Sequence, residues 1–265
     1  MSVRFGISLL LPEQLTSLPA RLPAHLQMAE FPGDALDTAG GLRKLAALAG
    51  SGVRLLGRDF ITPEIAGLIP GENCKIRAEL EAHFSRRCAL AAECGAKEFS
   101  VAFELFQAVD DPVYREKLAV FLRRCAGVIH GSGQRMRLVC RIPCGNRAVW
   151  EDILNFRNSL LLPGIDLLLE LHPHEPHAPE IMNAALKTFR FHDDCRRVCY
   201  DSSSGNVLTA GALKRCAATF FRGPEPEIRI FLSPGTGKFD AFRLAGLEDL
   251  AASFTGAGEK QETAP

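Results

Sequence analysis

Arg87-Cys88-Ala89-Leu90-Ala91-Ala92-Glu93-Cys94-Gly95-Ala96-Lys97-Glu98-Phe99-Ser100-Val101 joins the end of a helix to the start of a strand through one glycine. Upstream of it, Ile76, Leu80, Phe84, Cys88 and Ala91/Ala92 recur at helical spacing. Gly95 supplies the left-handed residue that ends such a helix. A β-like run then extends from Lys97 to Phe106 and passes through Glu104. A helix feeding directly into a strand is the repeating element of a parallel sheet.

The same alternation continues in both directions. Toward the N-terminus, β-like runs extend from Val3 to Leu10, from His25 to Phe31 and from Val53 to Phe60. Toward the C-terminus, Asp110 and Asp111 cap a helix, Pro112 fits its first turn, and Leu118, Phe121, Leu122 and Cys125 form its apolar stripe. Four further runs follow: Met136 to Pro143, Ile165 to His172, Arg197 to Asp201 and Ile228 to Ser233. Helices are expected around Trp150, Ile153 and Phe156, over Ile181 to Phe189, near Leu213 to Phe220, and from Phe239 to Ala252. Eight strands with interleaved helices predict a single (β/α)8 TIM barrel over residues 1–255, with a small, polar tail at 256–265.

Composition narrows the functional classes. The chain has 265 residues, and its 31 Lys and Arg balance 31 Asp and Glu. With no net positive charge there is no bulk electrostatic case for nucleic acid or an anionic membrane. No apolar run reaches the length of a spanning helix, and the opening Met1 to Pro12 is too broken to read as a secretory signal. The nine cysteines are odd in number and sit mostly in apolar patterns, as buried thiols of a cytoplasmic protein do. Cys140 with Cys144, and Cys195 with Cys199, are spaced by four and are read as packing, not zinc ligation.

In such barrels the working residues project from the C-terminal strand ends. The sixth run is the richest there: Leu169-Glu170-Leu171-His172-Pro173-His174-Glu175-Pro176-His177. Strand alternation puts Glu170 and His172 on one face, a carboxylate beside an imidazole, which suits proton transfer or metal ligation. His174 and His177 read as decoration of a solvated loop. The seventh run ends at Asp201, followed by Ser202-Ser203-Ser204-Gly205-Asn206; the eighth is followed by Pro234-Gly235-Thr236-Gly237-Lys238. Loops after strands seven and eight often hold phosphate, so Ser203, Gly205, Asn206, Gly235, Gly237 and Lys238 are the candidate anion cradle, against the alternative of ordinary turn chemistry. Glu30, Arg58, Asp59, Glu104 and Arg141 also fall near the mouth. Arg141 is a candidate clamp for a substrate anion, or an internal partner for Glu170 or Glu104. There is no nucleophile elbow, and no dinucleotide or triphosphate loop, so no nucleotide cofactor is expected.

Val53-Arg54-Leu55-Leu56, the Arg87 to Val101 passage and the order of the eight strands resemble the xylose-isomerase-like sugar phosphate isomerase/epimerase superfamily. That resemblance implies a TIM barrel acting on a carbohydrate, with a divalent metal (Mn, Zn, Mg or Co) held by Glu, Asp, His and Glu from strands five to eight. The matching places here hold Arg141, Glu170, Cys199 or Asp201, and no carboxylate near Ser233. A rearranged metal set would be Glu170, His172 and Asp201.

Three functions stay open. The first is a sugar or sugar phosphate isomerase or epimerase, with Glu170 as base, His172 its partner or a metal ligand, Asp201 beside them and Arg141 as the cation. The second is a metal-free phosphosugar isomerase. The third is a binding or regulatory barrel that has lost catalysis. The expected partner in each is a small carbohydrate, with monomer and homo-oligomer both open.

Overall fold

Eight strands form one parallel sheet that closes on itself: β1 (Val3–Ser8), β2 (Leu26–Pro32), β3 (Arg54–Arg58), β4 (Glu98–Ala102), β5 (Arg135–Ile142), β6 (Ile165–Leu171), β7 (Asp193–Asp201) and β8 (Glu227–Ser233). Each pairs with the next in chain order, and β1 pairs with β8 to complete the ring. In this computed structural model the described residues are 3–58, 60–61, 68–69, 74–102, 112–142, 155, 165–171, 193–201, 227–233, 244–245, 248–249 and 251–252; for 3, 74, 102, 114, 136–142, 165–171, 193–201, 227–228 and 232 the description is of the backbone alone. The helices expected near Trp150, over Ile181 to Phe189 and near Leu213 to Phe220, and the tail at 256–265, lie outside them. No helix among the described residues is long and apolar enough to cross a membrane.

Four described helices follow the first four strands: α1 (Pro12–Ser17), α2 (Ala39–Gly50), α3 (Cys74–Glu93) and α4 (Pro112–Gly131). The stripe on α4 is buried as its spacing requires, with Leu118, Phe121, Leu122 and Cys125 all in the core. Gly95 has φ +86°, the left-handed conformation expected for the residue that turns α3 into β4.

Three expected boundaries move by two residues or more, and the third run is one of them, ending at Arg58 instead of Phe60. The first run stops at Ser8 instead of Leu10, because the Gln14 side chain accepts from the backbone N–H of Leu10 (2.7 Å) and Leu11 (3.1 Å) and turns the chain into α1. The seventh strand begins at Asp193 instead of Arg197, with Asp193 paired to Leu167 at a register shift. Asp193 and Asp194 carry no apolar signal, so periodicity had nothing to read there.

Strands buried on both faces need packing inside and outside the ring. Outside, Phe60 makes edge-to-face contacts with Phe31, Phe84 and Phe99 at centroid distances of 6.1, 6.4 and 4.3 Å, tying β2, α3 and β4 together. Inside, Met28, Leu56 and Phe231 form an apolar plug. Gly6 admits it: a Cβ there would stand 2.7 Å from the Met28 carbonyl oxygen and 2.9 Å from the Phe231 ring.

The lumen also holds charge. Glu98 on β4 and Arg229 on β8 stand four strands apart around the ring, on opposite walls, and are 3% and 1% exposed. They meet in a bidentate ion pair: Arg229 Nη1 donates to Glu98 Oε1, and Nη2 donates to Oε2 at 3.0 Å. Arg54 Nη2 reaches the same Oε2 at 3.5 Å. Buried ions of this kind are tolerated because each is paired and hydrogen-bonded.

Removing one partner leaves an uncompensated buried charge, so Arg229→Met is expected to lower unfolding free energy by about 3–5 kcal/mol. Adding Glu98→Leu to that variant should restore most of the loss. Chemical denaturation of both variants measures it; a double variant worse than the single one would show that the pair stabilises outright.

Candidate active site at the barrel mouth

The C-terminal strand ends present a continuous polar arc built from neighbouring strands. Register pairs Asp201 on β7 with Ser233 on β8, and Ser8 on β1 with Glu30 on β2. Ser8 and Ser233 each lie one residue beyond the paired Ile7 and Leu232, so the two halves meet. Ser8, Glu30 and Ser233 are buried, at 0%, 6% and 3% exposure. Arg58, the last residue of β3, is half-buried, and its Nη1 donates to Ser8 Oγ at 2.7 Å. That bond fixes the guanidinium at the mouth through a neutral hydroxyl.

On the other side of the ring, register levels Arg141 on β5 with Glu170 on β6, and Glu170 with Arg197 on β7. Of the expected site residues, Arg141, Glu170 and Asp201 therefore occupy adjacent strands near their C-terminal ends. Arg141 and Glu170 are direct register partners. Cys199, one of the two strand-seven places, is level with Phe231. His172 lies outside the described residues, as do Asp59, Glu104, His174, His177 and the cradle candidates Ser203, Gly205, Asn206, Gly235, Gly237 and Lys238.

The chemistry of this donor set does not match the four-ligand metal site that the resemblance implies. Strand five carries an arginine in register with the strand-six carboxylate, and strand eight ends in a buried serine. An arginine offers a divalent cation no ligand, and a serine hydroxyl is a poor one for the metals concerned. Among the described residues there is no group of three or more His, Cys, Asp or Glu side chains placed to hold a metal.

Sequence reasoning missed Ser8 and Ser233, and it also missed the charged residues deeper in the lumen, Glu98, Arg229 and Arg54. A signal for the deeper group was present: a charge flanked by apolar residues in a strand covered on both faces, as in Ile228-Arg229-Ile230, must find a partner inside.

The segment after β2 is braced from outside the ring. Its one-turn 3-10 helix, Gly33–Asp37, is tied to α3 by Arg87, which is buried. Arg87 Nε donates to Asp37 Oδ1 at 3.3 Å, and Nη2 donates to Oδ2. The Arg87 hydrogen bond holds the Asp37 carboxyl below its ordinary range. The thiols around α3 and α4 are inert by contrast: burial pushes Cys88 up to about 12 and raises Cys94 and Cys125 as well.

No protein-family model matches the sequence, and no curated protein sequence matches it. Solved structures do match along nearly its whole length. D-psicose 3-epimerase from Clostridium cellulolyticum H10, solved with D-tagatose, is 12% identical with a TM-score of 0.59, covering 97% of this chain and 98% of that one. A 3-keto-D-glucoside 4-epimerase from E. coli is 14% identical at 0.57, covering 96% and 100%. A xylose isomerase domain protein from Alicyclobacillus acidocaldarius is 12% identical at 0.53, covering 97% of each chain.

The Asp37–Arg87 pair gives a pH signature. Because the folded Asp37 value is depressed, its stabilisation is present above the ordinary aspartate value of about 4 and is lost as pH falls through the folded one. Asp37→Asn should therefore lower Tm most near pH 7, and the gap from the unaltered protein should close in strong acid. A gap independent of pH in a thermal-unfolding series would remove the charge from this account.

In strand number, order and closure the chain has the (β/α)8 TIM-barrel fold that these solved structures share along nearly its whole length.

Proposed function

We propose that the barrel binds a carbohydrate at its C-terminal mouth and acts as an isomerase or epimerase, moving a proton on the carbon next to the sugar carbonyl. The observation that carries this reading is the register pairing of Glu170 with Arg141 at the mouth of a barrel whose structural neighbours include sugar epimerases. Glu170 is the base that removes the proton. Arg141 is the cation that stabilises the negative charge developing on the carbonyl oxygen, the task a Lewis acid performs elsewhere. Ser233 and Ser8, with Asp201 in register beside Ser233, are the groups that hydrogen-bond sugar hydroxyls. His172 is the partner of Glu170, and the loops carrying Ser203, Gly205, Asn206, Gly235, Gly237 and Lys238 take the anionic end of a phosphorylated sugar.

The runner-up is a non-catalytic carbohydrate-binding barrel, which the arginine and serine at the strand-five and strand-eight places favour. Hydrogen exchange separates the two. The protein is incubated in D2O with D-fructose, D-tagatose and D-fructose 6-phosphate, and the hydrogens beside the carbonyl are followed by NMR. Exchange above the buffer rate is expected for at least one sugar, with a fall of about 10²-fold or more in Glu170→Gln. It should survive chelator treatment, with less than stoichiometric metal by elemental analysis. Sugar binding without exchange would establish the binding barrel. Exchange abolished by chelation, with bound metal lost in Glu170→Gln, would restore a metal site built from Glu170, His172 and Asp201.

A further inference from the structure

Four neighbouring strands carry charged residues at one register level. Arg141 on β5 is level with Glu170 on β6, Glu170 with Arg197 on β7, and Arg197 with Arg229 on β8. Residues level on adjacent strands share one face of the sheet. That face is the inner one, because Arg229 meets Glu98 of β4 across the ring and Phe231, two residues further along β8, belongs to the lumen plug. Strands covered on both faces carry charge only where it has a partner or a use.

Two of the three arginines in this row already have tasks. Arg229 holds Glu98 in a bidentate pair. Arg141 is, in the reading above, the cation for the carbonyl oxygen. Arg197 has no part in that reading. It stands on the β7 side of Glu170 as Arg141 stands on the β5 side, so the place of the base is flanked by two cationic places. Two arginines against one glutamate sum to one positive formal charge. The other acidic residues of β6 to β8 stand elsewhere: Asp166 is level with Arg137, Asp193 and Asp194 begin β7, Asp201 ends it, and Glu227 begins β8.

A carboxylate balances such a site one for one, and its two oxygens match a guanidinium fork. The barrel makes that pairing lower in its lumen, where Arg229 takes both oxygens of Glu98. A phosphate, with close to two negative charges, overshoots the balance. Resting on the reading of a carbohydrate at the mouth, we infer that Arg197 is a substrate-binding residue and that the sugar is acidic, a uronate with a carboxylate in place of a terminal hydroxymethyl group. Strand order sets the order of the contacts. With the reacting C–H toward Glu170, the carbonyl end of the sugar lies toward β5 and Arg141, and the carboxylate end toward β7 and Arg197. The carboxylate stays ionised and takes no part in the proton transfer; it supplies binding and orientation.

Calorimetric titration compares D-fructuronate with D-fructose, which differ only in that terminal group, and with D-fructose 6-phosphate. Hydrogen bonds to a charged group predict that the uronate binds about 10-fold tighter than the neutral sugar, or more. In Arg197→Gln the ratio should fall to near one, and in Arg197→Lys, which keeps the charge and loses the fork, it should be intermediate. A ratio near one in the unaltered protein, or a ratio unchanged in folded Arg197→Gln, would overturn the inference. So would a preference for the phosphate that Arg197→Gln leaves intact, which would assign the anion to the loops after β7 and β8. If neither variant folds, Arg197 belongs to an internal triad with Arg141 and Glu170, and the inference falls as well. Hydrogen exchange in D2O on the same sugars tests the underlying reading separately. Exchange on D-fructose without a uronate preference would keep proton transfer and remove the acidic substrate. A preference that depends on Arg197, with no exchange on any sugar, would keep the acidic ligand and leave a binding barrel.

Discussion

The ion pair between Glu98 and Arg229 is the contact on which the interior is organised. It joins β4 to β8 through the middle of the ring, where most small barrels place only branched apolar side chains in layers. With Arg54 drawn to the same carboxylate, three strands are linked by charge below an apolar layer of Met28, Leu56 and Phe231. The lumen is thus closed from beneath. Ser233, Ser8, Glu30 and Arg58 then form a polar rim whose depth is limited by the plug, and a ligand entering from the C-terminal side meets the rim first.

Sidedness follows from that arrangement. In an eight-stranded ring each strand has one opposite number, so whatever β6 offers is faced by β2. Glu170 is flanked in register by two arginine positions, Arg141 and Arg197, which make its wall one of mixed charge. Glu30 is flanked by Ser8 in register and lies between the strands that Arg58 bridges to Ser8. A proton-transfer site needs groups on defined faces of one carbon, and a closed barrel supplies facing positions without any loop having to order. The brace from Arg87 to Asp37 holds the segment leaving β2 and so keeps its wall in place.

Much of the fold was legible in the sequence because its signals are local. The helical spacing from Ile76 to Ala92, the stop at Gly95 and the alternation that follows it describe α3 and β4 within a few residues. The start of β7 was not legible, since Asp193 and Asp194 join the sheet through backbone pairing and carry no apolar pattern. The places of Glu170, Arg141 and Asp201 near the ends of their strands could be read from the sequence. The pairing of Glu98 with Arg229 could not, because the two are 131 residues apart and only closure of the ring brings β4 opposite β8.

The most direct measurement is a crystal structure of the protein soaked with a ketose. The account predicts sugar density at the C-terminal mouth, above Met28 and Phe231, with the carbon beside the carbonyl next to Glu170 and the carbonyl oxygen toward Arg141. Sugar bound elsewhere on the barrel, or a metal ion coordinated by Glu170 where the guanidinium should be, would contradict it.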